Sequence, residues 1–325
     1  MPERRDAAIR WLLEGDPSIR WQTLRDLVGA GERAVARERS RVAREGWGAR
    51  LLARQRADGR WGAGRSTRTH AGLYGPKWIS TTYTMLLLRD LGLPAGNRKA
   101  RRACALLLDQ GLREDGQIDF GDWARWTRKG ETCVTGIVLS ILAHFEHDDP
   151  RLDTVVRTLL AQQMRDGGWN CRRSSGDTHG SMHTTMSVLE ALRLYGRFRP
   201  RGGRSPKLRA AERRGREFLL RHRLFRSHRT GAVIKPAFTR FVFPPRWHYD
   251  VLRGLDHFRA AGAKRDARLA DAIELVRRAR GEDGRWRLQG RYPGKTWFEL
   301  ERVGAPSRWN TLRALRVIQW WDSGS

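Results

Sequence analysis

Lysine is nearly missing from this 325-residue chain. It occurs only at positions 77, 99, 129, 207, 235, 264 and 295, so arginine carries nearly all of the 64 cationic side chains. Such a bias suits a GC-rich genome, and the arginines are spread along the chain instead of forming a tail or stripe. The net charge of +29 is therefore discounted as a nucleic-acid footprint, and no nucleic-acid partner is expected. A local cluster of that charge would suffice for an anionic small molecule. Cysteine is scarce too. Cys104, Cys133 and Cys171 are too few for a disulfide framework and read as reduced thiols or metal ligands. No run approaches the roughly 20 uncharged apolar residues of a membrane span. The opening Met1-Pro2-Glu3-Arg4-Arg5 leads into an amphipathic segment and not a signal core, so a cytoplasmic protein is expected. The 39% of hydrophobic residues suits a globular chain with a sizeable core.

Two tryptophan motifs recur. Pro17-Ser18-Ile19-Arg20-Trp21, Pro76-Lys77-Trp78, Pro245-Arg246-Trp247 and Pro306-Ser307-Arg308-Trp309 each precede an apolar helical run, and similar helices start from Glu131 and Met182 without the signature. Between them lie Gln55 to Trp61 and Gln163 to Trp169, both Q-x-x-x-G-x-W, Arg280 to Trp286 with Arg in place of Gln, and a decayed copy at Leu112 to Ile118. The glycines of these turns, with Gly231, recur every 50–60 residues or so, the period of a helical-hairpin array. Each unit reads as a charged amphipathic helix, an Asp-Gly turn, a loop rich in Gly, Arg and aromatics, and a more apolar helix. The apolar helices are expected over 21–27, 78–93, 132–145, 183–194, 247–258 and 309–320. Surface loops are expected at 202–206 and 235–245. The alternation predicts an all-α fold over 1–325 as one domain: an α/α toroid of six helical hairpins with inner and outer helix rings.

The Q-x-x-x-G-x-W turns, each followed by a loop and an apolar helix, resemble the repeats of squalene–hopene and oxidosqualene cyclases and of protein prenyltransferase β subunits. The resemblance runs from about Trp21 to Trp320 and implies a central cavity that takes isoprenoids. It does not extend to the D-x-D-D acid motif or the D-D-x-x-D metal motif of terpene synthases, neither of which occurs here. The nearest string, Glu146-His147-Asp148-Asp149, follows an apolar helix and reads as a helix cap before Pro150. The length fits one toroid, nearer a prenyltransferase β subunit than a two-toroid cyclase. Those β subunits hold zinc through Asp-x-Cys at one inner-helix start and His at a later one. The resemblance thus implies a zinc set of Glu131, Cys133 and His183, with Cys171 or His248 as a substitute.

An anion site follows from helix physics. Parallel inner helices would gather their N-termini, with free N–H groups and partial positive charge, at one mouth. Lys77, Arg246 and Arg308 sit in first turns, and Arg172 and Arg173 in a loop feeding another, as expected for a diphosphate or other anionic head. Stacking of each cation on a tryptophan is the bland alternative. Trp78, Trp247, Tyr249 and Trp309, with Trp123 or Trp126, would line an aromatic cavity or simply fill the core. Trp61, Trp169 and Trp286 read as packing between repeats. Glu131, Asp177, Asp250, His70, His179, His183 and His248 are the candidates for a general acid or base. Together these features lead to an isoprenoid- or lipid-active enzyme, cyclase-like or prenyltransferase-like, that holds an apolar chain with an anionic head. A non-catalytic carrier or interaction scaffold using the same cavity is the alternative.

Overall fold

The computed structural model describes residues 2–62, 72–121, 131–199 and 205–324. His70, Trp123 and Trp126 lie outside them. Among the described residues the regular structure is helical, with isolated bridges but no strand. No helix is long and apolar enough to cross a membrane.

Two kinds of helix alternate. The amphipathic ones are α1 (Pro2–Leu13), α3 (Glu32–Arg41), α4 (Gly46–Leu52), α6 (Arg98–Gly111), α8 (Arg151–Ala161), α10 (Pro206–Arg221) and α12 (Ala270–Arg278). In α6 the buried residues Ala100, Ala103, Cys104, Leu107 and Leu108 fall at helical spacing, and Asn97 caps the start by accepting from the Ala100 amide at 3.1 Å. The apolar ones are α2 (Pro17–Thr23, continued by a π turn to Val28), α5 (Thr81–Leu91), α7 (Thr132–His144), α9 (Met182–Phe198), α11 (Val251–Ala260) and α13 (Arg308–Asp322). Helix α7 is buried continuously from Thr132 to Ala143, as a helix enclosed by others must be.

The tryptophan turns repeat one hydrogen-bond scheme. The indole N–H of Trp61, Trp169 and Trp286 donates to the carbonyl ten residues earlier, Leu51, Leu159 and Val276, at 2.7 Å each. All three rings are fully buried. Gln55 and Gln163 each close their own turn onto Gly59 and Gly167. With the same amide they donate to the next amphipathic helix, at Lys99 and Ala211. Gly167 has φ +91°, and a Cβ there would meet the Arg214 carbonyl at 2.6 Å, which is why the turn keeps glycine. The following apolar helix supplies a threonine that accepts the turn's amide: Thr81 from Trp61, Thr135 from Ile118, Thr185 from Trp169 and Thr311 from Trp286, at 2.9–3.0 Å.

The apolar helices close on themselves. Helix α5 packs on α7, α7 on α9, and α11 on α13. Between α7 and α9 the backbones approach so closely that a Cβ on Gly136 would lie 3.2 Å from Ser187. Arg253 joins α11 to Glu190 of α9. Arg316 of α13 reaches Gln22 at 3.0 Å and Asp26 at 3.2 Å, and the Trp21 indole donates to Leu91 of α5 at 2.9 Å. The chain of contacts returns to its start, so an inner ring is wrapped by amphipathic helices in an α/α toroid.

The expected surface loop at 235–245 is exposed from Lys235 to Ala237 and turns inward from Phe238. Phe238, Phe241 and Phe243 are buried, and Phe243 stacks on Trp309 with ring centres 4.0 Å apart.

Candidate functional site

On the side where α5, α7, α9 and α11 begin, the chain is filled by its own side chains. The segment from Gly290 to Leu300 crosses there. The Trp78 amide donates to Lys295 at 2.7 Å, its indole to Pro293 at 2.9 Å, and the Trp297 indole to Thr84 at 3.0 Å. Tyr292 stacks on His248 with centres 3.5 Å apart, and His248 stacks on Trp247 at 3.7 Å. Burial, followed by His183, Lys77 and Arg253, pushes the His248 imidazole down to about 3. His183 accepts the Tyr249 amide on Nδ1 at 2.9 Å, and burial with Lys235 and Arg253 lowers it to about 4. Tyr249 spends its hydroxyl on the Leu224 carbonyl at 2.8 Å.

The expected ring of cations does not assemble at this mouth. Lys77 lies within 5.7 Å of the Tyr74, Trp78 and Trp247 rings, and the buried Arg246 sits 5.5 Å over Trp78. Arg308 turns away to α1, donating to the Trp11 carbonyl at 3.1 Å and lying over its ring. Arg172 and Arg173 are exposed in their loop, where Arg172 lies 3.9 Å from Asp177. Asp177 accepts from Asn170 at 3.1 Å, and His179 is exposed. Lys77, Arg246 and Arg308 lie against tryptophan rings, the bland alternative, whereas Arg20 pairs with Glu38 at 2.6 Å.

Of the implied zinc ligands, two stand together and the third does not. Cys133 donates to the Glu131 carboxylate at 3.5 Å, whereas His183 belongs to the aromatic cluster and has already engaged Nδ1. Among the described residues no three His, Cys, Asp or Glu side chains converge as a ligand set. As placed, Glu131, Cys133 and His183 do not fit a zinc site. Cys171 neighbours Cys133. The Cys133 thiol, outweighing burial and helped by Thr184, lowers Cys171 to about 7, while Cys171 and burial push Cys133 up.

The large cavity lies within the ring, toward the C-terminal halves of α5, α7, α9 and α11. It encloses about 690 Å³. Its walls carry nine arginines against five carboxylates, and so the expected apolar cavity is a charged one. Of the predicted aromatics only Trp309 lines it; Trp78, Trp247 and Tyr249 do not, and neither does any predicted catalytic residue. Trp21, Phe198 and Phe243 complete a short apolar wall.

Most of these charges are committed to each other. Glu190 takes Arg253 through Nε at 2.8 Å and Nη2 at 2.9 Å, and Arg89 at 3.2 Å. Burial alone would raise its carboxyl, but Arg253 and Arg89 outweigh burial and hold it well below the usual carboxylate range. Asp256 is held low in the same way by Arg316 and Arg259 against burial. Arg313 reaches Asp250 at 3.2 Å. Three cavity arginines have no carboxylate within 4 Å among the described residues: Arg39, which donates to the Gly92 carbonyl at 2.8 Å, Arg193 and Arg197. His257 adds a buried imidazole with both nitrogens unpartnered. Helix C-termini favour cations, which explains some of this excess but not the three arginines without a carboxylate, of which Arg39 and Arg193 are half-buried and Arg197 is exposed.

No family model matches the chain, and no curated protein does. Solved structures similar to it include a protein from Actinoplanes, 17% identical over 98% of each chain with a TM-score of 0.49. The type II terpene cyclase MstE from Scytonema, in its apo form, is 12% identical over 84% of this chain and 95% of its own, with a TM-score of 0.32. A variant of that cyclase in complex with the product merosterolic acid A gives 12%, 85%, 95% and 0.31. At these scores the likeness carries no functional weight.

Proposed function

We propose that this protein binds a small anionic amphiphile inside the ring, with isoprenoid phosphates and diphosphates as the leading class. The observation that carries the reading is the excess of arginine around the 690 Å³ cavity, part of it without a counter-charge. An anionic head would supply that charge, and Phe198, Phe243 and Trp309 would receive the adjoining apolar segment. The isoprenoid class rests on the resemblance of the tryptophan turns.

One observation favours the carrier reading over proton-initiated cyclisation. Glu190 and Asp256 are held ionised by their arginines. Neither carboxylate offers the proton that an alkene would need.

The test compares thermal stabilisation by farnesyl diphosphate with that by farnesol. The diphosphate should raise the melting temperature saturably, and the alcohol should leave it nearly unchanged. Equal shifts would make the site apolar and not anionic; no shift with either would end the reading.

A further inference from the structure

Resting on the cavity being the ligand site, we propose that the phosphate head docks between Arg193 and His257, with Arg197 one turn further along α9, and that binding draws a proton onto His257. Arg193 and Arg197 stand four residues apart, so both face the same side of α9. Arg193 leaves its buried Nε unpartnered, and His257, 4% exposed on α11, leaves both Nδ1 and Nε2 unpartnered. All three line the cavity.

The neighbouring carboxylates are taken. Glu190 of α9 is bound by Arg89 and Arg253, and Asp256 of α11 by Arg259 and by Arg316 of α13. Arg216 of α10 adds a further positive charge facing His257. Burial first, and then Arg193, keeps the imidazole neutral, with Glu190 and Asp256 only partly opposing. A half-buried guanidinium with a buried, unpartnered Nε beside a buried imidazole with free ring nitrogens is costly without a ligand. A tetrahedral phosphate offers acceptors to both. Arg193 gives a charge-assisted donor, and the imidazole gives one N–H in its neutral form and two once protonated. The incoming negative charge raises the His257 pKa, and the proton comes from solvent.

The sign follows. Burial holds His257 down to about 3 without ligand and the bound anion raises it, so its contribution to affinity is complete below the ligand-free value. It is lost as the pH rises through the bound value. Phosphate itself titrates near pH ~6 and favours the opposite trend, so sulfate, ionised throughout, is the clean reporter.

The experiment is calorimetric titration of the full chain with inorganic diphosphate, sulfate and farnesyl diphosphate, at pH 5.5 to 8 and in two buffers of different ionisation enthalpy. Wild type should take up a proton on binding and bind sulfate more weakly as pH rises. Arg193→Gln should weaken inorganic and farnesyl diphosphate by about tenfold or more. His257→Gln should abolish the proton uptake and flatten the sulfate pH profile. Without ligand, Arg193→Gln should melt no lower than wild type, since it removes a charge with no carboxylate partner and a buried Nε with no acceptor, and this separates lost binding from lost folding. Variants that bind farnesyl diphosphate like wild type, with unchanged proton uptake, would overturn this subsite and leave the cavity reading standing. Failure of wild type to bind farnesyl diphosphate would remove both.

Discussion

Arg253 grips Glu190 through two parallel hydrogen bonds, Nε to Oε1 at 2.8 Å and Nη2 to Oε2 at 2.9 Å. The pair ties α11 to α9, and Arg89 from α5 closes on the same carboxylate. Three inner helices thus share one negative charge. Glu190→Ala should cost about 3–5 kcal/mol in urea unfolding, because buried Arg253 loses its carboxylate partner and Arg89 is left with Asp90 alone. The carboxyl is held below its ordinary value of 4.5, so its contribution is full above that pH and is lost as the pH falls toward the folded value. Acid unfolding of Glu190→Gln should therefore be shallower than that of wild type.

Thr185 accepts the Trp169 amide at 2.9 Å and donates to its carbonyl. Thr185→Val keeps the shape and strands a buried N–H. The expected loss is about 1–3 kcal/mol. A matching loss at Thr81→Val or Thr311→Val would show that the turns are energetically alike.

Cys171 is lowered to about 7 by the Cys133 thiol. Its alkylation by iodoacetamide should rise through a midpoint near neutral pH, well before Cys104, whose thiol is pushed up by burial. Cys133→Ala removes the neighbouring thiol that favours the Cys171 thiolate, so the Cys171 midpoint should move to higher pH. Mass spectrometry of the labelled peptides reads both.

His183 accepts a backbone amide on Nδ1, which requires that nitrogen to be unprotonated. Its imidazole should therefore remain neutral, with flat NMR shifts, from pH 8 down to about 5. Titration near 6.5 would show that the bond to Tyr249 is not made.

The helical alternation and the tryptophan turns were legible because each depends on local chemistry: a glycine at positive φ, an indole reaching back ten residues and an apolar period of 3.6. The partner threonines were equally present, at Thr81, Thr135, Thr185 and Thr311, but a hydroxyl in a first helical turn looks like an ordinary cap. The cavity was misplaced for a different reason. An enclosed helix packs apolar residues on its neighbours and turns its polar stripe inward, the reverse of a surface helix. Glu190, Arg193 and Arg197 on α9, with Arg253, Asp256 and His257 on α11, recur every three or four residues within otherwise apolar runs. That stripe marked the bore. The Pro-cation-Trp tips, by contrast, drew attention to the other mouth, where stacking absorbs the charge. His183 could not be separated from Cys133 in sequence, since only folding shows which helix start it faces.

The inner ring is not fastened evenly around its circumference. Between α7 and α9 it is joined by a glycine pressed against backbone, and between α13 and α2 by one guanidinium spread over Gln22 and Asp26. Close-packed backbone resists separation whatever the solvent, whereas an ionic clasp yields to salt and acid. The annulus thus has a stiff flank and a compliant one, and deuterium should enter the amides of α2 before those of α7.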